Sequence, residues 1–108
     1  MSQHYFSTQH NGEAITVLLG WDRPLGHFFL VVERDDPAFD QDDYLYVNLD
    51  EPGAFELPLA FFRQKLVEMG IEVPPQMFEQ VQLDSDGHVG NRRVVYQADG
   101  NHESADIA

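Results

Sequence analysis

Through the first half of the chain, apolar residues either alternate with polar ones or come in short runs. Only one stretch repeats them at clean helical spacing. The organising segment is 14–34, where two apolar runs flank Arg23-Pro24-Leu25-Gly26. Pro24 presets φ for the first corner of a turn, and Gly26 is free to take the left-handed conformation. A type I turn followed by a glycine bulge is expected, which makes 14–34 a central antiparallel hairpin. That register sets Trp21 against Phe29, Leu19 against Val31 and Val17 against Glu33 on one face. On the other face it sets Asp22 against Phe28, Gly20 against Leu30 and Leu18 against Val32. Both faces are then largely apolar, whereas antiparallel sheets usually keep one face wet.

Upstream, 5–10 alternates weakly and runs into Asn11-Gly12, the strongest two-residue hairpin signal because a type I′ turn needs positive φ at both positions. The pairs His10–Glu13, Thr8–Ile15 and Phe6–Val17 follow, with 5–10 as an edge strand. Downstream, 35–43 holds Asp35, Asp36, Asp40, Asp42 and Asp43 around Pro37 and reads as a solvated, mobile loop. Residues 44–49 alternate and form a fourth strand. Asp50, Glu51, Pro52 and Gly53 make a turn.

The helical stretch is 58–69. Pro58 suits the first helical position and Gly70 the left-handed cap. Leu59, Phe62, Leu66 and Met69 form one stripe, and Phe61 falls nearly opposite it. A short helical turn is expected over 76–81, a turn at Asp84-Ser85-Asp86-Gly87, a last strand over 92–97 and a disordered polar tail over 101–108. The fold class is therefore α+β: a small antiparallel sheet, made of a meander of three or four strands plus a C-terminal strand, with one main helix on one face. Residues 1–100 form a single domain. A helix of three turns, roughly 18 Å long, covers only one face. The second face, carrying Leu18, Phe28, Leu30 and Val32 in this register, is left without cover.

Composition narrows the function. The 108 residues contain no cysteine, which removes disulfides, thiolate catalysis and cysteine-ligated zinc. The net charge of −13 and only six basic residues disfavour direct binding of nucleic acid or of an anionic membrane. No apolar run approaches the roughly 20 residues of a membrane span, and a cytoplasmic location is expected.

Candidate chemistry is sparse. His4, His10, His27, His88 and His102 show no metal-ligand spacing. His27 opens a strand and should face solvent. The Asp84 segment starts like a calcium loop, but no glutamate stands at its twelfth position. The four serines occupy no nucleophile elbow, and there is no phosphate loop. No catalytic, cofactor or metal residue is assigned, and an enzyme is the weaker class. Trp21 is read as core, packed on Phe29. Arg23, at the hairpin tip, is a candidate contact, because arginine is enriched at binding hot spots.

The leading expectation is a non-enzymatic interaction protein that binds a protein partner or itself, as a homodimer. Its contact candidates are Leu18, Arg23, Phe28, Leu30, Val32 and Phe61. The alternative is an acidic nucleic-acid mimic that occupies a DNA-binding protein through a surface of Asp35, Asp36, Asp40, Asp42, Asp43, Asp50 and Glu51. A third reading, a small-molecule or metal-dependent enzyme, has no motif behind it.

Overall fold

The computed structural model describes residues 1–98 and the backbone of 102–106. Strands β1 (Ser2–His10), β2 (Glu13–Asp22), β3 (His27–Arg34) and β4 (Tyr44–Val47) come first. Two short 3-10 turns, Asn48–Asp50 and Ala54–Glu56, follow. Helices α1 (Leu59–Met69) and α2 (Pro75–Asp86) and strands β5 (Arg92–Tyr96) and β6 (His102–Asp106) complete the order. The fold is α+β, with a mixed, mostly antiparallel sheet and two helices rather than one. The sheet order is β4-β3-β2-β1-β5-β6.

The first hairpin is as the sequence predicts. Asn11 and Gly12 both have positive φ, and His10–Glu13, Thr8–Ile15 and Phe6–Val17 are partners. The strand is not an edge, however. β5 returns parallel to β1 on its other side, pairing His4 with Val94 and Phe6 with Tyr96. The last strand of the sequence reading thus enters the sheet beside the first, through a crossover made by the helices.

The second hairpin differs by one residue. Asp22 pairs with His27, so the loop is Arg23–Gly26, four residues long, rather than three residues closed by a bulge. Trp21 faces Phe28, Leu19 faces Leu30 and Val17 faces Val32, while Gly20 faces Phe29 and Leu18 faces Val31. Side chains alternate along a strand, so this one-residue slip moves every β3 side chain to the opposite face. The turn residues alone do not separate a three- from a four-residue loop. Burial decides it: Leu30 and Val32 join Ile15, Val17 and Leu19 in the fully buried core.

β4 stops at Val47, where Asn48 turns inward and starts the first 3-10 turn. α1 begins after Pro58 and closes on Gly70, whose φ is 73°. The Gly70 N–H donates to the Val67 carbonyl at 3.0 Å and the Ile71 N–H to the Leu66 carbonyl at 2.9 Å, the paired bonds of a Schellman cap. α1 buries Phe62 and Leu66, each worth about 1.5–3 kcal/mol. α2 is a full helix, not a short turn. Pro75 stands at its first position, and Met77, Phe78, Val81 and Asp84 share its buried stripe. Met77, Phe78 and Val81 join the α1 side chains, Val94 and Tyr96 over one face of the sheet. The sequence predicts a disordered tail over 101–108. The backbone of His102–Asp106 pairs antiparallel with β5, and 99–101 and 107–108 lie outside the described residues.

Candidate functional site

Register places the open face of the sheet. Val47 pairs with Val31, Val31 with Leu18, Leu18 with Tyr5 and Tyr5 with Val95. The five side chains form one row across five strands, on the face opposite the helices. Strands about 4.8 Å apart make that row about 19 Å long. Val95 is 43% exposed and the other four are partly exposed. One border of the row is polar, with Glu33, Thr16 and Ser7. The Ser7 and Thr16 hydroxyls lie 3.3 Å apart, and Thr16 donates to the Asp35 carboxylate at 2.7 Å. The other border holds Phe29, Gly20, Gln3 and Arg93. The Phe29 ring lies across Gly20, and the Arg93 guanidinium sits 4.9 Å from the Tyr5 ring centre.

Of the six contact candidates from the sequence, the structure leaves only Leu18 on this face. Leu30 and Val32 are fully buried against the helices. Phe28 shares their face and packs on the core. Phe61 does not point away from the core either: it is half-buried, edge-on to Phe62, and covered by the Lys65 ammonium. Arg23 is exposed at the hairpin tip, its guanidinium close to Gly90. Trp21 is in the core as expected, but its ring neighbour is His88, with Phe29 on the opposite face. His27 is buried rather than solvent-facing, its ring 4.7 Å from Phe55.

On the helix side lies a buried polar cluster that the sequence reading missed. His4 on β1 is fully buried and Asp84 on α2 is 1% exposed. His4 Nε2 is 2.5 Å from Asp84 Oδ2, and His4 Nδ1 is 2.7 Å from the Tyr96 hydroxyl. Arg92 donates to Asp84 Oδ1 at 2.6 Å and to Gln80 Oε1 at 3.0 Å. An ionised carboxylate only accepts, so Nε2 carries the proton toward Asp84 and, in the neutral imidazole, Tyr96 donates to Nδ1. Burial pushes the Asp84 pKa up, but the bonds from His4 and Arg92 outweigh it and hold the carboxyl below its ordinary 3.8. Burial pushes the Tyr96 hydroxyl well above its ordinary range, outweighing the nearby Arg92.

A hydroxyl, an imidazole and a carboxylate in line make the hydrogen-bond order of a catalytic triad. The chemistry does not follow. Tyr96 is 3% exposed, so substrate has no access to its oxygen, and its raised pKa keeps it a phenol. The cluster instead ties β1, β5 and α2 together. Its signal was present in the sequence: the 77–78–81 spacing carried one turn further reaches Asp84. Reading 84–87 as a surface turn hid it.

The acidic segment is a loop at one end of the sheet, between β3 and β4. Arg34 pins it, with NH1 on the Asp42 carbonyl at 2.8 Å, Nε on Glu13 at 3.0 Å, and its backbone N–H on the Asp43 carbonyl at 2.7 Å. Asp35, Asp36, Asp40, Asp42 and Asp43 are all exposed. Glu51 instead pairs with Lys65 at 3.8 Å. Burial, and after it Glu51 and Asp50, push the nearby Tyr46 hydroxyl up to about 12. Among the described residues no three His, Asp or Glu side chains converge in a metal-binding group. No described helix is long and apolar enough to cross a membrane.

Between the helices lie two open depressions of about 520 and 420 Å³. Both are lined by Arg63 and Phe78, with the guanidinium 5.2 Å from the ring centre; Glu79 and Gln82 also line the first, and Glu72 the second. No known protein family matches the chain, and neither does any curated protein or solved structure.

Proposed function

We propose that the chain is a non-enzymatic interaction module that docks a protein partner through the open face of its sheet. The observation that carries this reading is the unbroken row Val47–Val31–Leu18–Tyr5–Val95, with polar residues along one side. An apolar strip with a polar rim is the layout of a docking surface. The test is retention of a host protein by the immobilised chain against a Leu18→Glu variant, washed in about 1 M salt, where the Debye length is about 3 Å. A partner held by the parent and lost from Leu18→Glu supports docking through the row. Partners that bind both forms equally sink it.

A second reading, the acidic nucleic-acid mimic, draws support from the pinned loop. The bonds of Arg34 and Thr16 hold part of the acidic surface in fixed geometry. A mimic's target would elute from both forms as salt rises, because that contact is electrostatic.

A further inference from the structure

Charge on the open face is sorted along the row. Glu33 on β3 stands in one border beside Thr16, whose hydroxyl bonds the Asp35 carboxylate. On the other side of the row Asp22 follows Gly20 on the same face of β2, and its carboxylate accepts the Leu25 N–H at 3.2 Å. All three carboxylates therefore lie at the β2–β3 end. Among the described residues of the face the one lysine or arginine is Arg93 on β5, three strand spacings or about 14 Å from β3. The strip is acidic at one end and basic at the other, and its net charge is negative.

Its dimensions select the occupant. The row and its two borders cover about 400 Å², of which Phe29 and Gly20 are already buried, against about 800 Å² per partner in a standard interface between globular proteins. The area suits a single segment of a partner chain. The two borders are four residues apart along the strands, about 14 Å, and a helix is about 10–12 Å across. A helix laid along the row turns one apolar stripe onto Val31, Leu18, Tyr5 and Val95, and the positions flanking that stripe overhang both borders. An extended segment cannot do this, because its side chains alternate between the row and solvent. At about 1.5 Å per residue, a row of about 19 Å takes about 13 residues of helix. Charge complementarity then fixes the chemistry of its polar flanks: lysine or arginine over Asp22, Glu33 and Asp35, and none over Arg93. The net charge of −13 draws such a segment in from a distance.

We propose that the open face holds one amphipathic helix of a partner protein, laid along the row with its apolar stripe on Leu18 and Tyr5 and its cationic end over β2 and β3. The proposal rests on the docking role of the face and names the chemistry of its partner.

Peptide titration tests it, read by calorimetry, with circular dichroism to confirm that each variant folds. The probe is a synthetic helical peptide of about 14 residues, with leucines on one stripe, lysines beside the stripe in one half and glutamines elsewhere. Glutamine in place of its lysines should weaken binding to the parent chain about tenfold or more, and glutamate in their place should abolish it. Glu33→Lys, at an exposed position, should lose most of the preference for lysine over glutamine. Glu72→Lys, exposed between α1 and α2, should keep it. Leu18→Glu should abolish binding even though it makes the chain more negative. A parent that binds none of the three peptides up to millimolar concentration overturns the helix as occupant, while the docking face is judged separately by loss of a captured host protein on Leu18→Glu. Equal binding of the lysine and glutamine peptides also overturns it. So does binding that persists in Leu18→Glu, or that Glu72→Lys weakens as much as Glu33→Lys, since either marks attraction to the net charge of the chain rather than to the row.

Discussion

His4 has no contact with solvent, so both ring nitrogens need partners inside the protein, and Asp84 and Tyr96 supply them. Each bond anchors a different element, so losing one partner strands the others. Asp84→Asn removes the negative charge that Arg92 and His4 Nε2 both bond. Breaking a buried pair from one side costs about 3–5 kcal/mol, and the low end is expected because Arg92 keeps some solvent contact. The loss should depend on pH. Asp84 titrates below its ordinary 3.8 when folded, so its stabilisation is full above that value and fades as pH falls through the lower, folded pKa. Denaturant melts of both forms should show a wide gap at pH 6 that narrows toward pH 3, and a constant gap would refute the ion-pair account. Gly20 is a second single-residue constraint. A Cβ there would land on the Ser2 carbonyl oxygen and the Phe29 ring. Gly20→Ala should cost at least about 1–3 kcal/mol, the range for overpacking, because the Ser2 carbonyl is backbone and cannot swing aside. A neutral substitution would mean that the first two strands are less closely packed than described.

Two elements carry the helix layer, and they were not equally legible in the sequence. α1 was readable end to end, because Pro58, the stripe of Leu59, Phe62 and Leu66, and Gly70 all point to one answer. Leu66→Ala should cost on the order of 2–5 kcal/mol in a thermal or denaturant melt, as buried leucines do. A near-zero effect would place α1 away from the sheet. α2 was cut short because its stripe ends in a carboxylate, and an acidic residue at a core position reads as surface until its partners are known. Those partners, His4 and Arg92, lie 80 and 8 residues away in sequence. No local pattern joins them. The strand reading shows the same division. The Asn11-Gly12 hairpin was correct in register because a type I′ turn fixes its loop at two residues. The Pro24–Gly26 hairpin was not, since four-residue loops accept the same residues. That one slip transferred Phe28, Leu30 and Val32 to the wrong face and hid Val31. Placing β5 parallel to β1 lay beyond the sequence as well, because a crossover leaves no spacing signal. The candidate face was thus foreseen as an open apolar surface, but only Leu18 among its residues was named.

At the scale of the molecule the dominant fact is 19 acidic against six basic residues. Ion pairs and like-charge repulsion respond to salt in opposite ways, so the sign of the salt effect on stability shows which is larger. Screening weakens pairs in partial contact with solvent, such as Lys65–Glu68 and Arg34–Glu13. It affects Arg92–Asp84 least, because that carboxylate is shielded from solvent. With six cations, most carboxylates have no cation to pair with, and their mutual repulsion is relieved when the chain unfolds and expands. The repulsion acts across a chain whose longest dimension is 39 Å. At about 0.01 M salt the Debye length of about 30 Å lets most of the carboxylates interact, whereas at 0.15 M it falls to about 8 Å and only near neighbours do. Relief of repulsion should outweigh the weakened pairs. The melting temperature is therefore expected to rise by several degrees between about 10 and 150 mM sodium chloride at pH 7, at a protein concentration low enough to exclude association. The rise should be smaller at pH 5, closer to the isoelectric point of about 4.4, where the net charge is lower. A melting temperature that falls with salt would mean that the few ion pairs, not the uncompensated acids, control the stability of the fold.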